Sequence, residues 1–154
     1  MGLDFRLAAP DELRPTGNLV ARCEEIARAS GAELLLTTDV GAAASGADFV
    51  YTDVWLSMGL PEAAWRERIE LLEPYRVDRK VLEMAANPAV KFMHCLPASH
   101  NRETRMGEEI FARFGLEEME VTEDVFESDA SIVFEQAENR VHTVKAVMVA
   151  TLAD

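Results

Sequence analysis

The chain has 154 residues, with 15 Lys and Arg against 28 Asp and Glu, and a formal net charge of −13. That length suits one domain with a sizeable core, and its 49% of hydrophobic residues form no run long enough to span a bilayer. The charge argues against a nucleic-acid backbone as partner, and any anionic substrate must be held by local cations because the overall field repels it. No basic-then-apolar leader precedes the first apolar run, and the two cysteines, Cys23 and Cys95, are not a disulfide framework, so a cytoplasmic protein is expected.

In chain order, the apolar run from Phe5 to Ala9, closed by Pro10, predicts a strand. Leu19, Val20, Cys23, Ile26 and Ala27 recur at helical spacing between Asn18 and Ser30, and Gly31 follows where a helix ends; Cys23 is placed in the core. Glu33 to Thr38 is a second strand, and Asp39 caps a short helix through Ala44 that Gly46 ends. Phe49 to Thr52 is a third strand, leading into Asp53-Val54-Trp55-Leu56-Ser57-Met58-Gly59. Pro61 suits the first turn of a helix with Trp65, Ile69 and Leu72 on one face, and a further helix covers Asp78 to Ala86. Asn87-Pro88 breaks it. Val90 to Met93 then reads as a buried strand running into His94-Cys95-Leu96-Pro97, where the proline forbids further ladder pairing. A polar loop through Arg105, a helix from about Gly107 to Phe114, a short strand at Met119 to Val121 and a helical turn at Asp124 to Ser128 follow. The last helix runs from about Ser131 to Leu152, with Val144, Val147, Met148 and Thr151 as an inner stripe.

Strands that alternate with helices indicate right-handed crossovers and a mostly parallel, Rossmann-like sheet flanked by helices. In such sheets ligands bind outside the carboxyl ends of the strands. Two strand ends carry chemistry there. Asp53 can accept from a substrate ammonium group, with Ser57 and the backbone near Gly59 holding the other end of an amino acid; alternatively Asp53 only caps the next turn. Cys95 is a nucleophile, a metal ligand, an orienting group or plain core. A Cys95–His94 dyad is disfavoured, because neighbours on an extended strand point to opposite faces. A third polar cluster, Glu135-Gln136-Ala137-Glu138-Asn139-Arg140-Val141-His142-Thr143, opens the last helix. Arg140 can fork onto phosphate or carboxylate, or the cluster is a solvated face with i,i+4 charge pairs. Trp55 and Trp65 read as packing.

Taken together, DVWLSMG, HCLPASH and VFESDASIVFEQAENRVHTVKAVMVA, in this order and at these separations, resemble the ornithine carbamoyltransferases of the transcarbamoylase superfamily, and the resemblance extends from Gly2 to the C-terminus. It implies that Asp53 binds ornithine near the attacking amine, that Ser57 and Met58 hold its amino-acid end, and that Cys95, Leu96 and Arg140 contact carbamoyl phosphate. Cys95, beside Asp53, would also help orient and deprotonate the amine. No metal or organic cofactor is expected. Two rivals are a carbamoyltransferase for another amine, such as putrescine or an acylated ornithine, and a non-catalytic ornithine-binding or regulatory module.

The resemblance also implies what the chain does not carry. The family enzyme has a first domain with a Ser-x-Arg-Thr phosphate loop at a helix N-terminus, and it forms trimers largely through that domain. Residues 1–154 are expected to be a single ornithine-binding C-terminal domain, N-terminally truncated, with little or no activity alone. One more strand and helix of this domain, including an asparagine that touches ornithine, are expected upstream. That strand is central in the family, between Phe5–Ala9 and Phe49–Thr52, so the α/β sheet is expected to lack it. Its neighbours would expose backbone groups that are costly to bury unpaired. The gap is expected to close by re-pairing or by strand exchange with another copy, or else to leave the chain partly ordered.

Overall fold

The computed structural model describes residues 2–57 and 59–152. Four strands, β1 (Phe5–Ala8), β2 (Leu34–Thr37), β3 (Phe49–Thr52) and β4 (Lys91–His94), alternate with helices as the sequence predicts. All pairing is parallel, but it makes two sheets of two strands each, β1 with β2 and β3 with β4. β1 and β3 each keep one edge without a strand partner among the described residues, and Phe5 and Phe49 on those strands are 59% and 60% exposed. The expected gap between them is therefore present and is not closed by re-pairing.

The helices are α1 (Gly17–Ser30), α2 (Val40–Ala44), α3 (Trp65–Leu72), α4 (Arg79–Met84), α5 (Arg105–Phe114), α6 (Glu123–Phe126) and α7 (Val133–Leu152). Their starts follow local chemistry. The side chains of Asp39, Asp78 and Thr104 accept hydrogen bonds from the backbone N–H groups of Ala42, Val81 and Gly107, each at 3.0 Å, satisfying donors that a first turn leaves free. The helix expected from Pro61 opens as a 3₁₀ turn, Glu62–Ala64, before α3. The strand expected at Met119 to Val121 is a single parallel bridge between Val77 and Val121. Gly107 is fixed by space: a Cβ there would meet the Asn101 carbonyl at 2.2 Å, so the loop after β4 can lie directly on α5.

The core is asymmetric and centres on β4. One edge of β4 pairs with β3. On the other, Phe92 N–H donates to the Ala130 carbonyl at 2.8 Å and the Phe92 carbonyl accepts from Ile132 N–H at 2.9 Å. With both edges satisfied, Phe92 is 0% exposed, and it packs with Val77, Val81, Val121, Val125 and Val133. A second cluster joins Trp55, Trp65, Ile69, Ile110 and Met119, so both tryptophans are packing residues. The β1–α1–β2 portion contributes little: no residue of α1 is buried. Cys23 is half-buried and lines an apolar groove of about 360 Å³ between α1 and the sheet, with Leu7, Leu19, Ile26 and Leu36.

The inner stripe expected on the last helix is overturned. Val144, Val147 and Met148 are exposed, as is every described residue of α7 beyond Gln136. Helical spacing marks an apolar face but does not supply the element that covers it, and no described element lies there. No helix among the described residues is long and apolar enough to cross a membrane.

Phe92→Ala should lower unfolding stability by about 3–5 kcal/mol through the cavity it leaves, whereas Val147→Ala should change it by less than about 0.5 kcal/mol; urea unfolding followed by circular dichroism measures both.

Candidate functional site

Thr52 of β3 lies opposite His94 of β4. The residues that follow, Asp53 and Cys95, therefore leave adjacent parallel strands at the same edge. The Cys95 thiol donates to Asp53 Oδ1 at 2.9 Å. The same oxygen accepts from the Val54 N–H at 2.7 Å, so Asp53 also tethers its own turn, as the capping alternative held. Both residues are exposed, and Asp53 Oδ2 takes no hydrogen bond among the described residues. A carboxylate with one oxygen fixed and one free at an open strand end can receive a cationic amine.

Partial burial pushes the Cys95 thiol above its ordinary range, and the bond to the Asp53 carboxylate, with its negative charge, adds to this. Cys95 is thus a protonated donor near neutral pH rather than a thiolate, which speaks against a nucleophilic role. Because it is exposed at the strand end, it is not core either. Tyr51, two residues before Asp53 and on the same side of β3, joins the group. Burial raises its hydroxyl above the usual range, the neighbouring Gln136 opposes this, and the nearby Cys95 and Asp53 raise it further. The site holds two neutral donors beside one carboxylate.

His94 and Cys95 do face opposite ways: the imidazole is buried and the thiol exposed. His94 N–H donates to Gln136 Oε1 of α7 at 3.1 Å, tying the last helix to the strand end. Arg140 stands four residues on, on the same helix face and about 6 Å further along the axis; it forms no ion pair among the described residues and is exposed. Leu96 has φ +49° and a cis peptide to Pro97, and its N–H donates to His94 Nδ1 at 2.9 Å. Ser57 is exposed on the loop anchored by buried Trp55, and its carbonyl accepts from Leu60 N–H at 3.0 Å. Met58 lies outside the described residues.

The structure therefore brings Asp53, Cys95, Tyr51 and Gln136 together, with Leu96 alongside. Tyr51 is an addition to the sequence-based set; Gln136 figures there only as a member of the third polar cluster. The period-two spacing from Asp53 gave a signal for Tyr51, and the four-residue spacing from Arg140 one for Gln136. Away from the site, His100, Glu123 and Glu127 place potential metal-ligating atoms within 4.8 Å of one another. Glu123 there already accepts from Asn101 and pairs with His100, which accounts for the cluster as an anchor of the loop.

A parallel α/β domain whose polar side chains meet beyond the carboxyl ends of adjacent strands has the build of a small-molecule-binding domain. Comparison with known proteins narrows the class. The chain belongs to the aspartate/ornithine carbamoyltransferase family, and residues 1–151 match its Asp/Orn binding domain. It is 52% identical over 154 residues to an ornithine carbamoyltransferase of Staphylococcus aureus (strain Newman), covering all of this chain and 46% of that protein. Among solved structures, ornithine carbamoyltransferase from Pyrococcus furiosus superposes with a TM-score of 0.77 at 37% identity, covering 96% of this chain and 41% of that one. The anabolic ornithine carbamoyltransferase from Campylobacter jejuni gives 0.78 at 30% identity, with coverage of 96% and 42%. The chain thus spans about half the length of the curated relatives it matches.

Alkylation of Cys95 by iodoacetamide, with Cys23 replaced by Ser, should show a pH midpoint above that of an ordinary thiol. Asp53→Asn should move the midpoint down, because it removes the negative charge that opposes thiolate formation; an unshifted midpoint would show that the two groups do not interact.

Proposed function

We propose that this chain is the ornithine-binding part of an ornithine carbamoyltransferase, which forms citrulline and phosphate from ornithine and carbamoyl phosphate. The observation that carries this reading is the 2.9 Å contact between Cys95 Sγ and Asp53 Oδ1 at the shared strand edge. Asp53 holds the side-chain ammonium of ornithine through its free oxygen, and Cys95 orients the nitrogen. The ammonium gives one proton to solvent, which frees the lone pair, and the nitrogen's second proton passes to the departing phosphate after attack. The neutral amine attacks the carbamoyl carbon, the new C–N bond forms, and the bond from that carbon to the phosphate oxygen breaks, with phosphate leaving. Ser57 and Met58 hold the amino-acid end, and Leu96 and Arg140 contact carbamoyl phosphate.

In this reading residues 1–154 are one C-terminal domain of a longer transcarbamoylase architecture. A separate carbamoyl-phosphate domain supplies most of the grip on the phosphate, and a further strand occupies the gap between β1 and β3. The open edges of those strands and the apolar groove beneath α1 support it. Holding the two substrates in register contributes about 7–11 kcal/mol of barrier lowering, and that contribution needs both domains. A homotrimer of the family kind belongs to the two-domain protein.

The chain alone should form little or no citrulline, and addition of the family's carbamoyl-phosphate half should restore turnover; robust citrulline formation by the isolated chain would refute the division of labour. Calorimetry should show ornithine binding that norvaline competes and simple diamines do not. Asp53→Asn should weaken that binding by about tenfold or more, the scale of losing a charge-assisted bond.

A further inference from the structure

We propose that Glu120 and His94 form a buried positioning pair that sets the turn at Cys95 and Leu96, and so aims the thiol at Asp53. The inference deepens the amine-site reading above and rests on it for its functional meaning.

A carboxylate and an imidazole are both enclosed in the core here: Glu120 is 0% and His94 1% exposed. Burial of a charged group is costly unless it is partnered. No Lys or Arg nitrogen among the described residues lies within 4.0 Å of the Glu120 carboxylate; the group facing it is His94 Nε2, 3.4 Å from Oε1, close enough for electrostatic interaction but without a hydrogen bond, so that Nε2 and Glu120 Oε2 are buried with no hydrogen-bond partner among the described residues. The nearby Arg76 turns elsewhere, donating from Nε to the Met119 carbonyl at 2.8 Å. Core packing alone has no use for this pair, since an apolar pair of the same volume would fill the space without the desolvation cost.

The hydrogen bonds indicate what the pair does. His94 Nδ1 accepts from Leu96 N–H at 2.9 Å. In the neutral ring the proton then sits on Nε2, the nitrogen that faces Glu120. The nearby negative charge favours, through its field rather than through a hydrogen bond, the tautomer that leaves Nδ1 free to accept. The bond from Leu96 holds that residue at φ +49°, a left-handed conformation that a leucine adopts only under constraint. Glu120 Oε1 also accepts from Ser99 N–H at 2.6 Å, and the Ser99 carbonyl accepts from Met119 N–H at 2.8 Å. The loop from Cys95 to Ser99 is thus gripped at its first residues through His94 and at its last through Glu120. Cys95 lies between the fixed points His94 and Leu96. Neither His94 nor Glu120 need touch substrate.

The test uses the intact chain with Cys23→Ser, leaving Cys95 as the thiol under study. Nitrogen-15 NMR of the imidazole should show Nε2 protonated and Nδ1 bare in the unsubstituted background. His94→Leu should change the pH midpoint and the rate of Cys95 alkylation by iodoacetamide. His94→Asn, whose side-chain oxygen can accept from Leu96 N–H in place of Nδ1, should restore the profile toward the parent. Glu120→Gln keeps the volume and the acceptor for Ser99, and should disturb the His94 tautomer while melting within a few degrees of the parent. If His94→Leu does not fold, the parent NMR spectrum, His94→Asn and Glu120→Gln still decide the matter. A parent ring protonated on Nδ1, or Glu120→Gln and His94→Leu proteins with the parent thiol profile, would overturn the proposal. Ornithine calorimetry run alongside separates the two readings. A shifted thiol profile with about tenfold weaker ornithine binding supports both, on the scale that small misplacements cost. A shifted profile in a chain that binds no ornithine leaves the positioning pair standing and removes the amine site.

Discussion

The pairing of β3 with β4 governs the molecule. In a parallel ladder the register of two strands fixes which residues leave together at the far edge. With Thr52 opposite His94, the next residue of each strand is a carboxylate and a thiol, and they meet. Proline at position 97 ends β4 within three residues of its last paired position. A slip of one residue would send the two side chains to opposite faces. The interior supports that register at the more demanding strand: β4 is held on both edges and carries the fully buried Phe92.

The fold divides its stability unevenly. The half built on β3, β4 and the helices from α2 onward has two packed clusters. The β1–α1–β2 half has a groove where a core would be and is linked to its neighbour by sparse contacts, such as those from Arg6 to the Ala43 and Ser45 carbonyls at the end of α2. Regions with few buried apolar groups and solvent-facing backbone bonds open most readily. The polar groups of the site sit on the well-packed half, at its border with the open one.

Much of this was legible in the sequence because the signals are local. Pro97 ends a strand, Asp39 and Asp78 start helices, Gly31 stops one, and the end of the apolar run Phe49–Thr52 places Asp53 at a rim. The family resemblance supplied the gap between β1 and β3, which no local pattern shows. What could not be read depends on distant partners. The apolar spacing of Val144 and Met148 is the same whether or not anything covers it. Glu120 reads as one acid among many in an acidic stretch; its burial follows from His94, which lies 26 positions earlier and is brought there by the bridge between Val77 and Val121 and the loop folded on Gly107.

The free edge of β3 bears directly on how a ligand is held. Among the described residues Asp53 extends from a strand paired on one side only, so its position is defined by β4 and by its own turn. On the proposed amine-site reading, whatever segment pairs with that bare edge restricts the carboxylate before an amine arrives and lowers the ordering cost of capturing it. By thermodynamic linkage the coupling runs both ways: an amine seated on Asp53 must tighten the grip on the pairing segment by the same factor. Completion of the sheet and recognition of the small molecule then become a single cooperative equilibrium.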